Sequence, residues 1–167
     1  MAGVVEIAKK DLGEVEKANN SGFVNPILEG EMKGVGWIKG YAWCTLIAER
    51  WAKKAYPEKA KEFDKLFDPS AVKTYRNFLK AGYKISQTPV VGALVIWQKY
   101  NKGQASWQGH AGIVSEVISD SEFKSIEGNG SVKGSREGTT VVEQRRRILK
   151  LETGLNVLGF IILKLDA

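Results

Sequence analysis

Cysteine and histidine are scarce in this sequence of 167 residues, which contains one of each, Cys44 and His110. A single cysteine excludes an intrachain disulfide and a cysteine-based metal cluster. A single histidine means that any imidazole chemistry within the chain must use His110. Long apolar runs are missing too, because no segment approaches the roughly 20 apolar residues that a membrane-spanning helix needs. We therefore expect no membrane insertion.

Acidic residues are outnumbered by basic ones, 19 against 25, so the formal net charge is +6 and the pI is about 9.3. This charge favours an anionic partner, and nucleic acid, acidic lipid and bacterial wall polymer all qualify. A nucleic-acid partner has only the charge in its favour, because the sequence contains no helix-turn-helix, zinc finger or aromatic RNA-binding motif. The length and the hydrophobic fraction of 43% predict one folded domain over residues 1–167.

Helical patterns occupy the first half of the chain and strand patterns the second, which predicts an α+β fold with N-terminal helices packed on a small antiparallel sheet. The predicted helices span about residues 4–18, 42–56, 58–67 and 69–81, the last with Asp68 as its N-cap. The predicted strands span about residues 92–97, 110–118, 122–127, 139–148 and 157–164. Residues 25–40 are rich in glycine and are expected to be irregular, and residues 100–109 are expected to form a polar loop.

Cys44 lies at the start of the predicted helix 42–56. The partial positive charge at a helix N-terminus favours a thiolate and lowers the pKa of a cysteine placed there. Backbone N–H groups at the same end can stabilise the oxyanion that forms when a thiolate attacks a carbonyl. The position therefore suits a nucleophile. The alternative is a buried cysteine that packs as a small hydrophobic residue, because Cys44 shares an apolar helix face with Ile47 and Trp51.

His110 begins the predicted strand 110–118, and glycines on either side allow a substrate to approach it closely. The alternative is a structural histidine that hydrogen-bonds a backbone carbonyl. A two-residue turn at 119–120 places His110 opposite Asn129 and Gly112 opposite Glu127, so that an amide and a carboxylate lie beside the imidazole. A catalytic base needs such a partner, although a slip of one residue would move the side chains to opposite faces. Alternatively, Glu127 and Asn129 belong to a polar turn at a strand end.

Cysteine, histidine and acid or amide, in this chain order, are the parts of a thiol hydrolase site. Around them the sequence resembles the CHAP-type cysteine peptidoglycan hydrolases, relatives of the NlpC-type and papain-like enzymes. The motifs that carry the resemblance are Trp43-Cys44 before an apolar helix, VGALVIW at 91–97, GHAGIV at 109–114 and IEGN at 126–129. Ala93 departs from the family pattern, in which an acidic residue is more usual.

The resemblance implies a papain-like fold and cleavage of an amide bond in peptidoglycan. The bond is either the N-acetylmuramoyl–L-alanine linkage or one within a peptide stem or cross-bridge. The resemblance also implies that Cys44 is the nucleophile, His110 the general base, Glu127 the residue that orients the base, and Asn129 a supporting residue. It implies no metal and no other cofactor.

Aromatic side chains suit contacts with sugars and peptide stems. Three are predicted to bind substrate, namely Tyr41, Trp43 and Trp107, and two further candidates for the cleft are Trp97 and Tyr100. Core packing is the alternative for Trp97. The basic run at residues 145–147, three consecutive arginines, is either a solvated strand face or a surface that attracts anionic wall polymer.

The second functional hypothesis is a module of the same fold that binds cell-wall peptide or a partner protein without cleaving it. The expected partner is bacterial peptidoglycan, with an immunity or delivery protein as a further candidate, and the expected state is a monomer. Residues 1–11 lack a basic start followed by a long apolar stretch. We therefore expect synthesis in the cytoplasm without a Sec signal peptide, and action on the cell wall after release or export by other machinery.

Overall fold

The computed structural model describes residues 3–130 and 140–164, and for residues 129 and 130 it describes the backbone alone. The α-helices of this part of the chain are α1 (Val4–Lys9), α2 (Pro26–Gly34), α3 (Cys44–Ala55), α4 (Ala60–Leu66) and α5 (Ala71–Lys80). The strands are β1 (Ile85–Ser86), β2 (Leu94–Asn101), β3 (Gln104–Ser119), β4 (Glu122–Gly130), β5 (Thr140–Arg147) and β6 (Gly154–Ile161). All the strands form one antiparallel sheet in the order β1-β6-β2-β3-β4-β5, so the α+β prediction is confirmed.

Helix α3 lies at the centre of the molecule, packed on β3 and β4 and flanked by α1 and α4. Its side chains are buried almost all round, and Ile47, Ala48 and Trp51 have no exposed surface. Full burial of an aliphatic or aromatic side chain contributes about 1.5–3 kcal/mol, so α3 is held mainly by its packing. The prediction of a helix over residues 42–56 is confirmed to within two residues.

The central strand β2 is buried on both faces. Leu94 and Ile96 point toward the helices and join the main core, whereas Val95 and Trp97 point to the other face and join a second, smaller core. This alternation follows from the two-residue period of a strand. A strand covered on both sides appears in sequence as a continuous apolar run, which is why residues 92–97 are a strong strand prediction.

The first helix ends earlier than predicted, at Lys9 rather than near residue 18. Gly13 has φ +88°, and its N–H donates to the carbonyl of Val141 on β5 over 3.0 Å. The N–H of Val141 donates in turn to the carbonyl of Glu14, also over 3.0 Å. The segment after α1 therefore pairs with the edge of the sheet, and this pairing replaces the further helical turns.

The expectation of irregular backbone throughout residues 25–40 is wrong, because Pro26–Gly34 forms α2. The Asn25 side chain caps this helix by accepting hydrogen bonds from the N–H groups of Ile27 and Leu28 over 3.0 and 3.4 Å. Pro26 occupies the first helical position, where its missing N–H has no cost. The expectation rests on the four glycines of this segment, and two of them, Gly30 and Gly34, lie within the helix.

Two other boundaries differ from the prediction. The predicted polar loop at 100–109 is instead a tight hairpin, in which Asn101 pairs with Gln104 across a two-residue turn with φ of 50° at Lys102 and 79° at Gly103. His110 therefore lies within β3 and not at its start. Helix α5 is capped by Ser70 and not by Asp68 as predicted, because Ser70 Oγ accepts from the N–H of Lys73 over 3.2 Å.

Within the described ranges, no helix combines the length and the hydropathy that crossing a membrane requires.

Candidate active site

Cys44 is the first residue of α3, with Trp43 as the N-cap. Its side chain is 6% exposed and lines a cleft of about 420 Å³. The other residues that line the cleft are Ala42, Pro69, Ser70, Ala71, Lys99, Trp107, Gln108, Gly109 and Leu155. The first N–H groups of a helix have no partner within it, so the start of α3 presents free donors beside the thiol.

The imidazole of His110 connects the thiol with a buried carboxylate. Its Nε2 lies 2.6 Å from Oε1 of Glu127, and the ring lies near enough to the thiol of Cys44 to lower the pKa of that thiol. The indole of Trp97 supports one face of the imidazole, with the ring centroids 5.3 Å apart and the planes 34° apart. The side chains of Cys44, His110 and Glu127 therefore lie together in one site, with the imidazole hydrogen-bonded to the carboxylate.

The carboxylate of Glu127 is fully buried and accepts hydrogen bonds on both oxygens. Arg146 on β5 binds it in a bidentate manner, with Nε donating to Oε2 over 2.9 Å and Nη2 donating to Oε1. The hydroxyl of Ser125 donates to Oε2 as well. The guanidinium of Arg146 also stacks over Trp97, with Cζ 5.0 Å from the ring centroid. Such charge-assisted hydrogen bonds fix the carboxylate in one orientation.

The pairing of β3 with β4 brings His110 and Glu127 to one face of the sheet. The predicted hairpin register, with Gly112 opposite Glu127, implies two further pairs, which are both observed: Ile113–Ile126 and Val114–Ser125. Nearer the turn, two irregularities shift the register away from the predicted one. At Gly112 a Cβ would come within 2.8 Å of Cγ of Glu127, so the glycine leaves the space that the carboxylate side chain occupies.

Burial disfavours the charged forms of Cys44, His110 and Glu127, but interactions with neighbouring groups outweigh this effect on each pKa. Burial raises the pKa of the Cys44 thiol, but the hydrogen bond and charge of His110 bring it below its ordinary value. Burial lowers the pKa of His110, but the charge of Glu127 and the hydrogen bond to Cys44 raise it to about 10. Burial raises the pKa of Glu127, but the charge of His110 and the hydrogen bonds of Arg146 lower it to about 2. These directions favour a thiolate, an imidazolium and a carboxylate near neutral pH.

The three aromatic residues predicted to bind substrate lie in different environments. Trp107 is 77% exposed and lines the cleft, which suits the predicted contact. Tyr41 is exposed and directly precedes Ala42, one of the cleft residues. Trp43 has no exposed surface and packs edge-on against Phe23, so its side chain offers nothing to a substrate.

Of the remaining candidate site residues, Trp97 and Tyr100 do not line the cleft, and the side chain of Asn129 is outside the described part of the chain. Trp97 is buried beneath His110, which corresponds to the alternative of core packing. Tyr100 is half-buried in β2 and is not one of the residues that line the cleft. Asn129, the predicted supporting residue, belongs to β4, and its side chain lies outside the described part of the chain.

Sequence reasoning missed Arg146 and Ser125 as partners of Glu127. The sequence-based prediction treats Arg146 as part of the basic run at 145–147, which either forms a solvated strand face or attracts anionic wall polymer. The period of a strand does place its side chain on the opposite face from those of Arg145 and Arg147. The pairing of β5 with β4, which decides what that face meets, cannot be derived from the local sequence.

Within residues 3–130 and 140–164, no three His, Cys, Asp or Glu side chains are grouped closely enough to hold a metal ion. The arrangement of Cys44, His110 and Glu127 suits chemistry in which a thiolate attacks a carbonyl and the imidazole transfers the proton.

The CHAP domain family model matches residues 36–129, more than half of the chain, including Cys44, His110 and Glu127. CHAP domains are generally cysteine hydrolases that act on peptidoglycan. No match to the chain is found among curated proteins or among solved structures. Matched over the segment that carries the thiol, the imidazole and the carboxylate, the chain belongs to the CHAP domain family.

Proposed function

We propose that this protein cleaves an amide bond of peptidoglycan through a thiol mechanism, as an N-acetylmuramoyl–L-alanine amidase or as a peptidoglycan endopeptidase. The observation that carries the proposal is the grouping of Cys44, His110 and Glu127 beside an open cleft, with Glu127 holding the imidazole by a hydrogen bond. The family match supports peptidoglycan as the substrate class. The position of Cys44 at the start of a central helix, with His110 on the adjoining sheet, supports a papain-like fold.

The first step is attack on the amide carbonyl. His110 holds the proton of Cys44, and the thiolate forms a bond from Sγ to the carbonyl carbon while the carbonyl electrons move to oxygen. The N–H of Cys44 and a neighbouring donor at the start of α3 hydrogen-bond this oxyanion. The N-terminus of α3 therefore stabilises two negative charges in turn, the thiolate before the attack and the oxyanion after it.

The second step breaks the carbon–nitrogen bond. The imidazolium of His110 donates its proton to the leaving amine, and the oxyanion collapses to a thioester on Cys44. Water then attacks the thioester while neutral His110 takes a proton from it, and the tetrahedral intermediate expels the thiolate, which releases the carboxylic acid and restores the thiolate–imidazolium pair. Glu127 keeps the imidazole oriented and stabilises its positive charge throughout.

Digestion of purified peptidoglycan, followed by mass spectrometry of the fragments, tests this function. New amino groups on alanine with free lactyl ends indicate an amidase, and cleaved stems or bridges indicate an endopeptidase. We expect Cys44→Ala to abolish fragment release while the thermal melt keeps its cooperativity, because a small apolar side chain suits the position. Full activity of that variant, or no digestion by the wild-type protein, would refute the proposal.

A module that binds peptide without cleaving it is the second candidate, and the low exposure of Cys44 favours it. Alkylation by iodoacetamide separates the two. A nucleophile paired with His110 reacts fast at neutral pH, with an apparent pKa well below the ~8.5 of an ordinary thiol. Slow alkylation with an ordinary pH dependence, together with tight binding of wall fragments, would support the binding module.

A further inference from the structure

A second cleft, of about 350 Å³, adjoins the one that contains Cys44. It lies between α5 and the β2–β3 hairpin, and Ser70 and Trp107 line both clefts. Its other lining residues are Val72, Lys73, Arg76, Gln98, Ala105 and Ser106. A ligand that occupies the first cleft can therefore extend past the exposed indole of Trp107 into the second. We call the second cleft the α5 groove.

One wall of the α5 groove is cationic. Lys73 and Arg76 are three positions apart on α5, so they lie on one face of the helix. Lys73 has one ion pair, with Asp68 at 3.4 Å, and its side chain is 66% exposed, so water screens that pair strongly. Arg76 is exposed and forms no ion pair with any residue in 3–130 or 140–164. Two cationic groups are therefore available to a ligand.

The opposite wall of the α5 groove consists of uncharged polar and apolar residues from the β2–β3 hairpin. The amide of Gln98 donates to the carbonyl of Ser106 over 2.9 Å, which fixes the amide. Trp107, at 77% exposure, presents the largest exposed apolar side chain beside the groove. A ligand that fits both walls carries an anionic group next to an uncharged backbone or sugar.

We propose that the α5 groove is a subsite for a free carboxylate on the peptide stem of the substrate, while the scissile amide lies over Cys44. This subsite rests on the proposed function, because it names the part of peptidoglycan that the second cleft holds. Guanidinium groups bind carboxylates in a bidentate manner, so Arg76 is the main anchor and Lys73 adds a point charge. Trp107 packs on the stretch of ligand that joins the two clefts.

The test uses Cys44→Ala protein, so that no ligand is cleaved, and two soluble muropeptides that differ only in having stem carboxylates or carboxamides. Tryptophan fluorescence follows binding of each. We expect the carboxylate form to bind about tenfold more tightly, which corresponds to about 1.4 kcal/mol, because Arg76 and Lys73 form charge-assisted hydrogen bonds with a carboxylate and not with a carboxamide. Arg76→Gln is expected to abolish the preference and Lys73→Gln to weaken it. Lys80→Gln, at an exposed position on the same helix outside the groove, is the matched control and keeps it.

Equal binding of the two muropeptides, no binding of either, or a preference that survives Arg76→Gln would overturn the subsite. These outcomes are separate from the failure of the proposed function, which the digestion experiment reports. Wild-type protein that digests peptidoglycan without a carboxylate preference refutes the subsite alone. A preference that depends on Arg76, found in a protein that digests nothing, keeps the subsite and refutes the hydrolase.

Discussion

The buried carboxylate of Glu127 pairs with two cationic side chains, those of His110 and Arg146. Its Oε1 is shared between Nε2 of His110 and Nη2 of Arg146, and its Oε2 accepts from Nε of Arg146. An unpaired buried carboxylate would be costly, so His110 and Arg146 together offset its desolvation. The same arginine packs on Trp97, which in turn lies against the imidazole. Arg146 therefore positions both the acid and the ring of the base.

Arg146→Gln tests this positioning role. We expect kcat to fall about 30-fold, because the loss of hydrogen bonds to a buried charge costs about 2 kcal/mol and 1.36 kcal/mol corresponds to a factor of ten. KM should change little, since Arg146 does not line the cleft. Arg145→Gln is a matched control on the same strand, where the side chain pairs with Glu122 instead. Equal losses in the two variants would contradict a specific role for Arg146.

The pH dependence of kcat/KM follows from the same residues. The acid limb reports protonation of the Cys44 thiolate, whose pKa lies below its ordinary value. The alkaline limb reports the loss of the His110 proton, so activity should persist to about pH 9 and fall by half near the pKa of about 10. In Glu127→Gln the charge that raises the His110 pKa is gone while burial still lowers it, so the alkaline limb should move to lower pH. An unchanged alkaline limb in that variant would contradict the assignment.

The predicted site residues differ in how much of their environment could be derived from sequence. Cys44 and His110 are each the only residue of their type, and short motifs mark both, so they could be identified as candidates from sequence. The hairpin of β3 and β4 is a local contact, and the predicted register holds at Ile113–Ile126 although two irregularities separate that pair from the turn. Arg146 reaches Glu127 from a strand whose pairing depends on the whole sheet, and nothing in the neighbouring residues specifies that pairing.

At the scale of elements, the site depends on how closely α3 approaches β4. Gly128 lies at this contact, and a Cβ there would come within 2.5 Å of Ile47 and 2.7 Å of the ring of Trp43. Trp43 is the N-cap residue of α3, directly before Cys44. The distance between helix and sheet at Gly128 therefore determines where the thiol lies relative to the imidazole.

Gly128→Ala should separate the two elements. Overpacking of this kind costs about 1–3 kcal/mol, and the shift of α3 should also lower kcat by more than tenfold, because small displacements of a nucleophile have large effects. Gly30→Ala is the matched control, since Gly30 lies inside α2 with open space around it. That variant should gain about 0.5–1 kcal/mol with unchanged kcat. Urea unfolding and steady-state kinetics measure both quantities, and a Gly128→Ala protein with wild-type kcat would contradict the argument.

Elements with their own local signals could be predicted, and those defined by distant partners could not. Helix α3 and strand β2 have apolar patterns that match their burial. The end of α1 is determined by hydrogen bonds to Val141 on β5, more than 120 residues away, so the apolar pattern up to Val15 predicted a helix that does not form. The error at α2 is different, because Asn25 and Pro26 are local start signals, and the glycine content of residues 25–40 does not prevent the helix that they begin.

At the scale of the whole molecule, the stability of the fold depends on a buried carboxyl group outside the active site. Glu49 lies on α3 and is 3% exposed. Burial raises its pKa from 4.5 to about 8, and nearby Asp64 adds to the rise while Lys53 opposes it. Between about pH 4.5 and 8, the folded protein therefore holds a proton on Glu49 that the unfolded chain has already released. Its stabilising effect is fully present below pH 4.5 and is lost as the pH rises through 8.

Thermal melts of wild-type protein and Glu49→Gln between pH 4 and 9 test this dependence. Glutamine is uncharged like the protonated carboxyl group but has no proton to lose, so the two proteins should melt at similar temperatures at low pH. At pH 9 the variant should melt about 5 °C or more above wild type, because each pKa unit is worth about 1.4 kcal/mol and 1 kcal/mol shifts Tm by roughly 2–4 °C. Glu152→Gln, at an exposed position, should follow the wild-type curve throughout. The comparison isolates Glu49, since the titrations of Cys44, His110 and Glu127 are common to both proteins and cancel in the difference. A constant difference in Tm across the pH range would show that Glu49 is ionised in the folded state and that its charge is compensated by its neighbours.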